Sequence, residues 1–202
     1  QHAFRFPVQW VNRPHADFRG FSGTVVAGSI KPGDAIRALP SGQIASIDRI
    51  ILSTNNLNQA ITDQSVTLTL DREIDLSRGD LIVAADAPCE VSNQFEAELV
   101  WMDKEPGYIG RRYILQLGTN NANASLSEIK FKYDVNSFEK LQGRELSFNE
   151  IANVQINLDA EIPFEAYVDC PGLGAFVLID RYSNATVAAG MIRFALRRSS
   201  NV

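Results

Sequence analysis

The chain has 202 residues but only two cysteines, two histidines and no long apolar run, and each shortage argues against a class of protein. Two cysteines without a C-x-x-C spacing argue against a disulfide-rich scaffold and against a zinc ribbon. His2 and His15 lack a neighbouring serine or acid motif, which argues against a hydrolytic triad. No apolar stretch approaches the ~20 residues of a membrane-spanning helix, and the first residues lack the apolar core of a signal peptide.

Positive charge is scarce as well, since 19 lysines and arginines stand against 24 aspartates and glutamates and leave a net charge of −5. A surface that binds nucleic acid normally needs clustered lysine and arginine to neutralise phosphates. We therefore expect a cytoplasmic protein that binds no nucleic acid and no membrane.

What the sequence does contain is a period-two alternation of apolar and polar residues in four segments, which are residues 66–70, 95–101, 129–135 and 154–158. Such alternation places apolar side chains on one face of a strand and polar side chains on the other. It predicts four half-buried antiparallel strands. The threonines of the first segment and Glu96 of the second are expected to face solvent.

Short turns separate the predicted strands, and glycine or proline marks the clearest of them at residues 31–34, 40–42, 77–80 and 106–107. Proline supplies the fixed φ of a first turn corner, and glycine supplies the positive φ of a second. Many short strands with such turns predict an all-β barrel or sandwich. For residues 136–141 we expect one short helical turn at most.

The segment 6–34 carries the most specific pattern, and it reads FPVQWVNRPHADFRGFSGTVVAGSIKPGD. Its R-G-x-x-G-T-V arrangement, followed by G-x-I-x-x-G-D, resembles the second domain of translation-factor-type GTPases such as elongation factor Tu. The flanking words PVQWVNRP and DFRG resemble a narrower family, the GTPase subunit of bacterial sulfate adenylyltransferase. Residues 71–83 and 177–191 resemble the same family, as the end of its second domain and the closing hairpin of its third.

The resemblance implies an all-β fold of two consecutive antiparallel β-barrels, similar to domains 2 and 3 of elongation factor Tu. We expect residues 1–88 to form the first barrel and residues 89–202 the second, because small residues and Pro88 interrupt the strand pattern near residues 84–90. The strings G-x-x-x-x-G-K-[ST] and N-K-x-D, which bind phosphate and guanine, are both absent. GTP and magnesium would then belong to a missing N-terminal GTPase domain, and the chain would be a C-terminal fragment.

By the same resemblance, the parent complex is an enzyme that converts ATP and sulfate to adenosine 5′-phosphosulfate and pyrophosphate, whereas this fragment has no catalytic, cofactor-binding or metal-binding residue. Its expected partners are the missing GTPase domain and the small catalytic sulfurylase subunit, with which it would form a heterodimer. In fused members an adenylylsulfate kinase domain follows, and residues 194–202 resemble the approach to it. The alternative function is a tRNA- or ribosome-binding double barrel of a translation factor, which shares the fold but needs a basic groove.

Three arginines within the family-like words, Arg19, Arg78 and Arg181, are the candidate residues of a domain or subunit interface. A guanidinium fork pairs well with a carboxylate, so each is suited to contact the GTPase domain or the small subunit. The alternative is an ion pair within a barrel that fixes a loop. The D-x-x-G string at residues 169–172 matches a nucleotide-site motif, but its place beside the closing hairpin predicts a turn.

Overall fold

The computed structural model describes residues 2–134, 136–137 and 139–196, and these residues belong to two compact units. The first unit ends at Cys89 and the second begins at Glu90, one residue after the expected boundary. Within the described residues, no helix is long and apolar enough to cross a membrane.

The first unit is built from short antiparallel strands. They are β1 (Arg5–Pro7), β2 (Trp10–Asn12), β3 (Gly20–Thr24), β4 (Ser29–Ile30), β5 (Ala35–Leu39), β6 (Ile44–Leu52), β7 (Asn55–Leu57), β8 (Ala60–Ile61), β9 (Ser65–Leu70) and β10 (Leu81–Ala84). Main-chain hydrogen bonds join them in the order β1, β10, β5, β6, β9, β3, β2, with β7 beside β6 and β4 paired with β8. Only Val8 and Gln9 separate β1 from β2, so the two ends of this path are continuous in the chain and the sheet curls round on itself.

Apolar side chains fill the inside of the first unit. Five of them, from five different strands, are at most 2% exposed: Phe6, Phe21, Ile36, Ile50 and Leu68. Burying a side chain of this size contributes roughly 1.5–3 kcal/mol. Five strands of the first unit therefore contribute to its core.

The turn predicted at residues 31–34 is confirmed. The amide of Asp34 donates to the carbonyl of Lys31 at 3.1 Å, and Gly33 has a φ of +91°, a left-handed value that favours glycine. The Asp34 carboxylate accepts a hydrogen bond from the Lys31 amide at 2.8 Å. The turn is therefore held by contacts within four residues of sequence, which is why the sequence alone predicted it.

The second unit is a closed barrel. Its strands are β11 (Glu90–Trp101), β12 (Gly107–Tyr108), β13 (Arg112–Leu117), β14 (Asn120–Tyr133), β15 (Lys140–Leu141), β16 (Glu145–Leu146), β17 (Ile151–Phe164), β18 (Ala175–Asp180) and β19 (Thr186–Ala195), and one helical turn, α1 (Pro171–Gly174), precedes β18. Neighbouring strands follow the ring β13, β18, β19, β11, β17, β14, and β14 pairs back with β13. All pairings in this ring are antiparallel, which confirms the predicted all-β fold.

Aromatic rings fill the core of the second unit. Phe95 packs against Phe164 and Phe176, with ring centroids 5.4 and 5.6 Å apart. The indole N–H of buried Trp101 donates to the carbonyl of Glu105 at 2.8 Å, so this large ring is buried without losing a hydrogen bond. The predicted closing hairpin is confirmed, because β18 pairs with β19.

The four alternating segments all lie in strands, which are β9, β11, β14 and β17; β14 ends at Tyr133, and position 135 lies outside the described residues. The described residues of the segment 136–141 form a turn and then β15, which agrees with the expected limit of one helical turn at most. The prediction that the threonines of β9 face solvent was wrong for Thr69. Thr69 is only 5% exposed, because its hydroxyl donates to Asp48 at 3.2 Å and accepts from the Arg49 amide at 3.1 Å.

Candidate functional site

Arg19 lies immediately before β3 and holds a loop of the first unit. Its guanidinium donates to the carbonyls of Ile74 and Leu76 at 3.0 and 2.9 Å, and it stacks over the Phe21 ring with 5.1 Å to the centroid. The acceptors are main-chain oxygens, whereas the sequence suggested a carboxylate partner. Arg19 therefore fixes the segment 74–76 against β3, and its planar fork is suited to two acceptors at once.

The cleft around Arg19 has a volume of about 360 Å³ and mixes both signs of charge. Arg49 pairs with Asp48 and Arg72 pairs with Asp71, each with N to O distances of 3.4 Å. A phosphate or a nucleic acid needs cations that are not already neutralised by neighbouring acids. The charges that line this cleft largely compensate one another, so the cleft does not provide the basic groove that the translation-factor alternative requires.

Arg78 lies on an exposed turn before β10. The Asp80 carboxylate accepts from the Ser77 amide at 2.8 Å, and the Asp80 amide donates back to the Ser77 carbonyl at 3.0 Å. Arg78 is exposed, and its side chain makes no hydrogen bond or ion pair with any residue that the structure describes. It therefore remains available to a partner.

Arg181 lies on the tight turn between β18 and β19, in the other unit. Asp180 organises this turn, because its carboxylate accepts from the amides of Tyr182 and Ser183, both at 2.9 Å, and from the Ser183 hydroxyl at 3.2 Å. It also pairs with Arg111 at 2.8 Å. The amides of Ser183 and Tyr182 are the main reason that the pKa of Asp180 lies below its ordinary value of 3.8. Arg181 is exposed and unpaired within residues 2–134, 136–137 and 139–196.

The D-x-x-G string at residues 169–172 takes a structural position. Cys170 precedes α1, and the amide of Leu173 donates back to the Cys170 carbonyl at 3.0 Å. The string thus forms the start of a single helical turn, where the sequence predicted a simple turn. No group of three or more side chains able to ligate a metal occurs in the described part of the chain. Cys170 and Cys89 form no disulfide.

A buried charge cluster on the outer face of the second barrel was missed by the sequence reasoning. Glu96 of β11 is only 4% exposed, although the alternation predicted a solvent-facing side chain. Its carboxylate accepts from Lys130 of β14, from Asn153 of β17 at 2.8 Å and from Arg193 of β19 at 3.1 Å. Four strands thus meet at one carboxylate. Alternation cannot reveal this, because the partners lie between 34 and 97 residues away in sequence.

The ionisation of Glu96 follows from this environment. Burial raises the pKa of the carboxyl group, but hydrogen bonds from Lys130 and Asn153 and the charges of Lys130 and Arg193 outweigh it. The net pKa lies below the ordinary value of 4.5, so the group is ionised at neutral pH. The role of the cluster is to join the four strands that meet at Glu96.

The second unit also has an apolar groove of about 720 Å³. Val100, Ile151, Val177, Ala189 and Met191 line it. Register places Val100 beside both Ile151 and Ala189, and Ala189 beside Val177, so four adjacent strands supply a continuous apolar surface. Exposed apolar surfaces of this kind mark sites of interaction with a protein or another ligand.

Comparison with known proteins identifies the relationship. The chain is 45% identical over 98% of its length to sulfate adenylyltransferase subunit 1 of Saccharophagus degradans. The chain is a relative of that subunit. It is also 46% identical over 99% of its length to the bifunctional enzyme CysN/CysC of Xylella fastidiosa. It spans 42% and 32% of these two proteins, so it corresponds to less than half of either.

Two further comparisons concern the fold. Residues 94–193 match the family described as GTP-eEF1A C-terminal domain-like. A crystal structure of sup35 complexed with GDP superposes with a TM-score of 0.87 and 18% identity, covering 97% of this chain and 48% of that one. This likeness confirms the predicted translation-factor-like β fold.

Proposed function

We propose that this chain is the double-barrel portion of a GTP-dependent sulfate adenylyltransferase regulatory subunit. In this role it docks the small catalytic subunit and the GTPase domain, and it works in the cytoplasm. The observation that carries the proposal is the similarity to sulfate adenylyltransferase subunit 1 over 98% of the chain. In fused members, such as relatives of the CysN/CysC type, an adenylylsulfate kinase domain would be a further covalent partner.

The proposed mechanism is transmission of a conformational change. A GTPase domain that contacts the barrels differently in its two nucleotide states shifts the equilibrium between two arrangements of the complex. A difference of about 2.8 kcal/mol in contact free energy changes that equilibrium about a hundredfold. A closed barrel held by main-chain hydrogen bonds and by the Glu96 cluster is stiff enough to carry such a change without deforming. Catalysis and nucleotide binding belong to the other parts of the assembly.

Turnover assays test this division of labour. The purified chain should neither hydrolyse GTP nor form adenosine 5′-phosphosulfate from ATP and sulfate. The full-length subunit assembled with the small subunit should do both, which serves as the positive control. Turnover of either substrate by the chain alone, at a rate that survives repeated purification, would contradict the proposal.

A gel-shift titration with tRNA addresses the alternative function. The chain has a net charge of −5, and Arg49 and Arg72 of the Arg19 cleft are paired with Asp48 and Asp71, so we expect no shift at moderate salt. Tight binding of tRNA would favour a translation-factor role over the proposed one.

A further inference from the structure

The turn between β18 and β19 presents one aromatic side chain almost completely to solvent. The Tyr182 side chain is 92% exposed, while the main chain beneath it is fixed by two hydrogen bonds to Asp180 at 2.9 Å. The Asp180 amide in turn donates to the carbonyl of Ala185 at 2.9 Å, which closes the turn across its base. We call residues 181–185 the Tyr182 turn. Its order does not depend on the Tyr182 ring, because the hydrogen bonds that close the turn are made by main-chain groups, Asp180 and Ser183.

A second loop lies beside the Tyr182 turn and extends the exposed apolar surface. Arg111 links the two, because its guanidinium pairs with Asp180 at 2.8 Å and its amide donates to the carbonyl of Tyr108 at 3.3 Å. Tyr108 and Ile109 are each 43% exposed. This end of the second barrel therefore carries a prominent aromatic side chain with further apolar side chains near it.

The Tyr182 turn itself carries a single charge, which is the positive charge of Arg181. Arg111 and Arg181 contribute two positive charges, and Asp180 contributes one negative charge that is already taken up by Arg111 and the turn amides. Arg181 is exposed and its charge is left uncompensated. The complementary surface is therefore one that carries a carboxylate.

We propose that the Tyr182 turn is a docking element: the Tyr182 ring enters an apolar recess on a protein surface, and Arg181 pairs with a carboxylate at the rim of that recess. Tyrosine and arginine are the residue types most often found to dominate binding energy at protein interfaces. A turn that is ordered before binding loses little conformational entropy on association. The proposal rests on the proposed function, in which the partner with this recess is the small catalytic subunit.

The test measures affinity of the full-length subunit for the small subunit by isothermal titration calorimetry. Tyr182→Ala should weaken binding about tenfold or more, as expected for a residue at the centre of an interface. Arg181→Ala should weaken it about three- to tenfold and should also flatten the dependence of affinity on salt, because one screened ion pair is lost. Val168→Ala is the matched control, because Val168 is 86% exposed on another turn of the same unit. It should bind within about twofold of the wild type.

Thermal unfolding of each variant separates docking from folding. Tyr182 is 92% exposed and buries little surface, so Tyr182→Ala should unfold at the wild-type temperature. If the wild type binds and Tyr182→Ala binds equally well, the docking role is overturned while the proposed function stands. If the wild type itself does not bind the small subunit, the proposed function fails and the docking role fails with it. If Tyr182→Ala abolishes only self-association in sedimentation velocity, the recess belongs to a second copy and the proposal is overturned.

Discussion

Replacing Glu96 by glutamine tests whether the buried charge cluster stabilises the second barrel. The change keeps the size of the side chain and removes its charge, so Lys130 and Arg193 lose their common anion. Removing one partner of a fully buried ion pair costs about 3–5 kcal/mol. Here the carboxylate side chain is 5% exposed, but the lysine and arginine side chains are 33% and 45% exposed. Water therefore compensates part of the loss, and we expect Glu96→Gln to cost about 2–3 kcal/mol.

Differential scanning calorimetry at neutral pH measures this loss. For a unit of this size, 1 kcal/mol lowers the unfolding temperature by about 4 °C, so the transition of the second unit should fall by about 10 °C. Glu98→Gln is the matched control, because Glu98 lies on the same strand and face but accepts a single side-chain hydrogen bond from the described residues, from Tyr133 at 3.3 Å. It should change stability by less than about 0.5 kcal/mol. Equal unfolding temperatures for the two variants would refute the role assigned to the cluster.

The pH dependence gives an independent check on the same residue. Because the pKa of Glu96 is lowered in the folded state, its contribution is fully present above the ordinary value of 4.5 and is lost as the pH falls through the folded-state value. The difference in stability between wild type and Glu96→Gln should therefore shrink on acidification below pH 4.5. A difference that grows in that range would show that the carboxyl group is protonated in the native state.

Three further predictions concern single sites. Gly190→Ala should destabilise the second unit by about 1–3 kcal/mol in urea titration, because the added Cβ would lie within 2.3–2.8 Å of three Phe176 ring atoms. Arg19→Lys should destabilise the first unit by about 1–2 kcal/mol, since an ammonium group cannot donate to both loop carbonyls in the same geometry. A stability equal to wild type would contradict the role of Arg19 in holding the segment 74–76. Asp180→Asn should lower the unfolding temperature of the second unit at neutral pH, and the effect should fade as the pH falls below 3.8, because the pKa of the native carboxyl is lowered.

The strands were predictable because their signal is local. Alternation within a segment and the proline and glycine of a turn act over a few residues, and the turn at Gly33 formed as predicted. The family resemblance then narrowed the predicted fold from the all-β class to a particular pair of β-barrel domains. Neither signal depends on knowing which strand pairs with which.

Neither the Glu96 charge cluster nor the contact of Arg19 with the segment 74–76 was predictable, because both depend on segments that are distant in sequence. Glu96 alternates with apolar residues like an exposed glutamate, and only the pairing of four strands around it makes it buried. Arg19 was expected to meet a carboxylate, but the acceptors are main-chain oxygens some 55 residues away, which no side-chain pattern records. For Arg181 the sequence indicated an interface residue, yet the exposed aromatic side chain beside it became visible only in three dimensions.

Titration of the small sulfurylase subunit into the purified chain, followed by calorimetry, tests the central claim most directly. We predict saturable binding at equimolar ratio with a dissociation constant of about 10 µM or tighter, and the same affinity with or without GTP in the cell. Two results would contradict the account of a docking body without a nucleotide site. One is the absence of binding by a chain that shows a cooperative unfolding transition. The other is an affinity that changes when GTP is added.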